Sequence, residues 1–184
     1  MFVKSLDDRV FVIGTDGIIF LYDIVDRKII TQTPTIYTVL GNYKCSVSAD
    51  GSYVALINEN LYVYEIRNKQ EIILRHQLAG SFYGCFFAPN DANKLILNTP
   101  DNVRIFNCST GAVDQVINRF YANPINIDPI TNYMLLVSNS KARIYIYDFK
   151  SDKLVLELNH HAFAYDFKLL NNQIFTNSGY HFDI

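Results

Sequence analysis

The chain has 184 residues, enough for one domain with a substantial core or for a small array of repeats. Hydrophobic residues make up 49% and charged residues 18%, with no low-complexity tract, which excludes an intrinsically disordered chain. A net charge of -2 argues against nucleic acid as the main ligand, because phosphate binding needs a basic excess, and no run reaches the roughly 18 apolar residues of a membrane-spanning helix.

With 13 Tyr, 13 Phe, no Trp and abundant Ile and Val, the composition favours strands. Asparagine gathers where turns are wanted, as in "PNDANK" and "LLNNQ". Three cysteines (Cys45, Cys85, Cys108) are an odd number without metal-ligand spacing, which argues against a disulfide framework. The start, "MFVKSLDDRV", lacks the basic region, apolar stretch and cleavage site of a secretory leader. An intracellular protein, cytoplasmic or nuclear, is expected.

In chain order, the first unit runs from a turn at Asp7-Asp8 through "VFVI" (Val10 to Ile13) to "IIFLYD", ending on Tyr22-Asp23. The second repeats this plan: Asp50-Gly51, then "YVALI" (Tyr53 to Ile57), then Tyr64-Glu65. The third has Asn90-Asp91, "KLIL" (Lys94 to Leu97) and Phe106-Asn107. The fourth has Thr131-Asn132, "YMLLV" (Tyr133 to Val137) and Tyr147-Asp148. The fifth has Asn171-Asn172, "QIFT" (Gln173 to Thr176) and Phe182-Asp183. From one aromatic marker to the next the steps are 42, 42, 41 and 35 residues.

Each unit therefore predicts four short strands joined by tight turns, counting the segments after the marker ("KIITQT", "EIILRH", "AVDQVI", "KLVLEL"). The runs are apolar on both faces, so each sheet has to lie between neighbours. Four-stranded antiparallel sheets packed face to face around an axis make a β-propeller, which is the fold expected of the whole chain. Residues 1–184 form one domain in this reading, with units at 1–28 (partial), 29–70, 71–112, 113–153 and 154–184.

The chain resembles the WD40 propeller family. That family's repeat ends in Trp-Asp, and the corresponding positions here read "LYD", "VYE", "IFN", "IYD" and "HFD". Its habitual turn between the second and third strands is similar to "SADGSYVAL" (Ser48 to Leu56) and "APNDANKLI" (Ala88 to Ile96). The departures are clear: no marker holds Trp, and the family's Gly-His pair is missing. His76 and the pair His160-His161 lie in the corresponding region without the glycine.

About nineteen strands are expected, just under five blades. The first unit reads as three strands lacking the innermost one, and the last unit ends on its fourth strand. Three arrangements stay open: a small five-bladed ring, an open arc completed by a second copy or another chain, and a piece of a larger propeller. In the last two, Phe2 to Leu6 and Tyr180 to Ile184 would offer apolar docking surfaces.

Signals for catalysis are weak. His160 and His161 are adjacent on a strand and so point to opposite faces, with no companion ligands. Cys45 and Cys85 each lie five residues before a polar turn, in equivalent places of adjacent units, on the strand next to the innermost; tight packing explains them. No catalytic, cofactor-binding or metal-binding residue is expected. Turn chemistry accounts for Asp50, Asn90, Asp91 and Asn132.

The turns after the marker are basic: Arg27 and Lys28, Arg67 and Lys69, Lys150 and Lys153, offset by Asp26 and Asp152, while "CSTGA" is neutral. Propeller geometry puts these turns on one face, as a rim for an acidic protein or peptide. The expected function is a non-catalytic protein–protein interaction scaffold, without cofactor. The alternative is a lactonase- or quinoprotein-like propeller that uses its central channel for catalysis or for a metal or small ligand.

Overall fold

The computed structural model describes residues 2–7, 10–15, 18–34, 44–117, 123–127, 133–138, 143–148, 151, 153–159, 167–170, 173–176 and 181–183. Among them every regular element is a strand. The first sheet comprises β1 (Phe2–Ser5), β2 (Val10–Thr15), β3 (Ile18–Asp23) and β4 (Lys28–Gln32). The second comprises β5 (Lys44–Val47), β6 (Tyr53–Ile57), β7 (Asn60–Arg67) and β8 (Glu71–Ala79). The third comprises β9 (Gly84–Ala88), β10 (Asp91–Asn98), β11 (Val103–Asn107) and β12 (Val113–Ile117). The fourth comprises β13 (Asn123–Ile127), β14 (Tyr133–Ser138), β15 (Arg143–Asp148) and β16 (Lys153–Asn159). The fifth has three described strands, β17 (Phe167–Leu170), β18 (Gln173–Thr176) and β19 (His181–Asp183). Every sheet is a meander in chain order.

Nineteen strands are found among the described residues, grouped differently from the expected units. The segment after each marker pairs back onto the strand that carries the marker, so it closes that sheet as a fourth strand. Each new sheet therefore starts one strand later than the sequence units do. The first sheet is complete rather than lacking a strand, and Cys45 and Cys85 fall on the first strand of their sheets, not the second.

The chain divides into two compact units, Met1–Thr99 with Arg104–Gln115 and Pro100–Val103 with Val116–Ile184. In the first unit β6 shows why its run is apolar throughout. Val54 and Leu56 pack with Val12, Ile19 and Leu21 of the first sheet. Ala55 and Ile57, on the opposite face, pack with Phe87, Leu95, Leu97 and Phe106 of the third. Two alternations of period two are thus interleaved in one strand. In the second unit Leu135, Ile144 and Ile146 of the fourth sheet pack on Ile174 of the fifth.

A bulge recurs at one place in the repeat. The register between the third and fourth strands slips at Leu21/Tyr22, at Val63/Tyr64 and at Ile146/Tyr147, each time just before the aromatic marker. The extra residue sits on the fourth strand and reverses its facing. Ile72 and Leu78, six apart on β8, would share a face in a regular strand, yet Ile72 packs toward the first sheet and Leu78 toward the third.

Polar side chains stitch neighbouring sheets of the first unit. The Lys4 ammonium donates to the carbonyls of Val47 and Ser48, and Lys44 donates to that of Tyr83. Burial lowers the Lys4 pKa, against the opposing pull of the Asp50 carboxylate. The Ser46 hydroxyl accepts the Phe87 N–H at 3.1 Å, linking β5 to β9. His76 Nε2 lies 2.7 Å from the Cys108 carbonyl oxygen, and its ring meets Phe106 edge to face, with centroids 5.4 Å apart. Gly111, at φ +77°, makes room for that ring, since a Cβ there would stand 2.8 Å from His76 Cε1.

Replacing Gly111 by Ala combines left-handed strain with a clash, so stability should fall by about 1–3 kcal/mol. Urea denaturation measures it. Adding His76→Ala should recover part of the loss, and an unaltered midpoint in the single variant would refute the lock.

Candidate functional site

In an antiparallel meander the turn between strands one and two and the turn between strands three and four lie at the same end. The rim to consider in the first unit is therefore formed by the β1–β2, β3–β4, β5–β6, β7–β8, β9–β10 and β11–β12 turns.

The acid of the marker builds the rim. Asp23 Oδ1 accepts the N–H groups of Val25 (2.9 Å) and Asp26 (3.0 Å). Asn107 Oδ1 does the same for Ser109 (3.0 Å) and Thr110 (3.2 Å), and takes the Ser109 hydroxyl at 2.7 Å. Asp148 accepts the Ser151 hydroxyl at 2.6 Å. The Asp23 and Asn107 contacts are Asx turns, in which a short side chain replaces a backbone acceptor. Glu65 is one methylene longer and does otherwise. Its carboxylate pairs with Arg67 Nε at 3.2 Å and Arg75 Nε at 2.7 Å. The Arg75 contact lies outside hydrogen-bond geometry, so charge alone holds Oε2. The hairpin there turns on Asn68 and Lys69, both left-handed (φ +49° and +54°), with Gln70 N–H bonded to the Arg67 carbonyl at 2.9 Å.

The β5–β6 turn is similarly knotted. Asp50 Oδ1 accepts the Ser52 N–H (2.9 Å) and the hydroxyls of Ser48 (2.7 Å) and Ser52 (2.8 Å). Partial burial works against the charge, but these donors outweigh it and hold the carboxyl below its ordinary range.

The basic residues expected at the rim are placed as follows. Arg27 is exposed and left-handed at the β3–β4 tip (φ +52°). Lys28 pairs with Asp26 at 3.0 Å. Arg67 ends β7 on its Glu65 pair. Lys69 reaches from the second sheet to Asp7 at the β1–β2 turn, at 2.5 Å. Lys153 opens β16, exposed, in the second unit, and Lys150 lies outside the described residues, as do His160 and His161. Arg27, Lys28, Arg67 and Lys69 thus share one rim, and three of the four are paired with a carboxylate. Such exposed pairs contribute about 0–1 kcal/mol each, so they do not hold the sheets together.

Sequence reasoning passed over the apolar side chains of this rim. Val25 is 66% exposed, Ile24 43% and Ile29 51%, all around the β3–β4 tip. The equivalent tips carry Asn68-Lys69-Gln70 and Ser109-Thr110-Gly111-Ala112. The signal was present in "YDIVDRKI", where two aliphatics occupy turn positions.

The thiols are not at the rim surface. Cys85 and Cys108 are buried, and burial pushes both thiols up to about 12; burial likewise raises Cys45 far above its ordinary value. No group of three His, Cys, Asp or Glu residues that could hold a metal ion occurs among the described residues.

No family model matches the chain, and no curated protein matches it. Solved structures do. The crystal structure of the Myceliophteria thermophila Cps50 (Swd1) β-propeller domain superposes with a TM-score of 0.68 at 12% identity, covering 95% of this chain and 60% of that one. The dihydro-heme d1 dehydrogenase NirN, in complex with DHE, superposes with a TM-score of 0.67 at 17% identity, covering 96% of this chain and 41% of that one. The chain has the β-propeller fold. It spans less than two thirds of either neighbour, and identities this low speak to fold alone.

Two outcomes follow from the site. Asn107→Ala removes a cap with three donors and should cost about 0.5–1.5 kcal/mol, read as a lower thermal midpoint; an unchanged midpoint would mean the turn holds without it. Cys85 and Cys108 should resist a thiol-reactive dye at pH 8 and react only on unfolding in urea. Labelling of either in the folded chain would contradict their burial.

Proposed function

We propose that the chain is a non-catalytic scaffold: a WD40-like propeller domain, taken over residues 1–184, that holds protein partners on its turn rim. The observation that carries this reading is the β3–β4 tip, where Ile24, Val25 and Ile29 stand in solvent on a hairpin held rigid by Asp23. Large aliphatics in the wettest positions of a turn do nothing for the fold, whereas they suit a protein interface. Arg27, Lys28, Arg67 and Lys69 give that rim of the first unit its preference for acidic partners, and Lys150 and Lys153, which follow the fourth marker in the sequence, would favour the same partners on the second unit. A further support is how the polar groups suited to chemistry are used. His76 bonds a backbone carbonyl, Asp23, Asn107 and Asp148 cap turns, and the described thiols are held protonated by burial. The partner is a protein, a second copy or a different chain, met inside the cell in the cytoplasm or nucleus.

One observation favours a second reading: a propeller similar to this one is named as a dehydrogenase in complex with a small molecule. On that reading the central channel binds a small ligand.

Native mass spectrometry of the chain gently isolated from its own cells separates the two. A stable complex with a protein chain is the expected result. A mass of 21.2 kDa plus a metal or small ligand, with no protein attached, would replace the scaffold by the channel reading.

A further inference from the structure

The outermost strand of each complete sheet leaves one row of backbone N–H and C=O groups without a strand partner, a liability that charged side chains usually blunt. The four outer strands are protected unequally. β8 carries Glu71, Arg75 and His76, β12 carries Asp114, and β16 carries Lys153 and Glu157. β4 reads "KIITQ", with a charge only at its first residue, and that charge is paired with Asp26. Among the described residues no strand pairs with the outer side of β4. Its side chains are exposed at Lys28, Ile29 and Gln32 and intermediate at Ile30 and Thr31.

The same strand begins at the apolar tip. Ile24, Val25 and Ile29 are exposed there, and Arg27 stands exposed with no carboxylate in ion-pair reach among the described residues. The Asx bonds from Asp23 fix the tip before any ligand arrives, which lowers the entropic cost of binding. Among the described residues, an unguarded edge, a preformed apolar tip and one uncompensated cation coincide only on the first sheet.

We infer that β4 and its hairpin tip accept an extended segment of a partner protein, added as a fifth strand to the first sheet. Backbone hydrogen bonds along Lys28–Gln32 supply affinity. Specificity comes from aliphatic residues of the segment over Ile24, Val25 and Ile29 and from a carboxylate opposite Arg27. A lipid surface is disfavoured, because the tip has no aromatic anchor, one of its two cations is paired, and the chain is net negative. The inference rests on the scaffold reading and names the segment that its rim would take.

The probe is a display library of random sixteen-residue peptides, panned on the whole immobilised chain. Enriched peptides should combine aliphatic residues with Asp or Glu. A synthetic copy should slow hydrogen exchange at the amides of 28–32 and not at those of β8, β12 or β16. Val25→Asp, at an exposed position that leaves the fold intact, should weaken its binding at least tenfold. Arg27→Gln should weaken it a few-fold and flatten its salt dependence.

Protection that falls elsewhere, affinity indifferent to Val25→Asp, or no enrichment at all would each overturn the inference. So would sedimentation with phosphatidylserine vesicles that Val25→Asp abolishes, or a dimer of the chain that the same substitution dissociates. The scaffold reading is judged apart from these. A native protein complex that survives Val25→Asp keeps the scaffold and removes the β4 site, whereas absence of any protein complex removes both.

Discussion

Burial of a sheet on both of its faces is the constraint from which the other features of this chain follow. A four-stranded meander of about forty residues cannot cover two apolar faces by itself, so it is stable only between neighbours. β6 meets this demand with Val54 and Leu56 turned one way and Ala55 and Ile57 the other. Each such side chain removed from water contributes about 1–3 kcal/mol, against about 0–1 for a rim ion pair such as Lys69–Asp7. Apolar contact between faces therefore sets the stack, and the polar stitches of Lys4, Lys44, Ser46 and His76 set how neighbouring sheets align.

The repeated pair of an aromatic followed by an acid or amide divides the labour of the hairpin. Tyr64 and Phe106 are buried against the preceding sheet, and burial pushes the Tyr64 phenol up to about 12. The next residue caps the turn where it is Asp23 or Asn107, and becomes an ion-pair centre where it is Glu65. Just before the aromatic the register slips by a bulge on the fourth strand, and on β8 this lets one strand pack against both neighbouring sheets. Once the cap has fixed a tip, the residues at its apex are released from structural duty. Three hairpin apices of the first unit use that freedom differently, and only one uses it for aliphatic side chains.

This separation of duties shapes the functional reading. Residues that look chemical in the sequence are absorbed by the fold, as with the buried thiols and the Asp50 carboxylate tied to two serines. Val25 and Arg27, which have no task in the fold, stand exposed at the β3–β4 tip. On the scaffold reading proposed above, such a surface presents shape and charge to a partner.

The sequence by itself determined the strand content, the repeat near 41 residues and the positions of the turns, because these depend on local chemistry: β-branched and aromatic runs, Asx residues at bends, and an acid or amide one residue after each marker aromatic. It also placed Arg27, Lys28, Arg67 and Lys69 on hairpins of one rim, since the meander follows from strand order alone. Tertiary structure alone decided which sheet each fourth strand joins, because "KIITQ" could close one hairpin or open the next until backbone pairing chose. It decided the bulge, which no residue type announces, and with it the opposite facing of Ile72 and Leu78. It also paired Lys69 with Asp7, 62 residues away, and left Ile24, Val25 and Ile29 in water. Pairing and exposure depend on which surfaces meet in space, and a linear pattern carries no record of that.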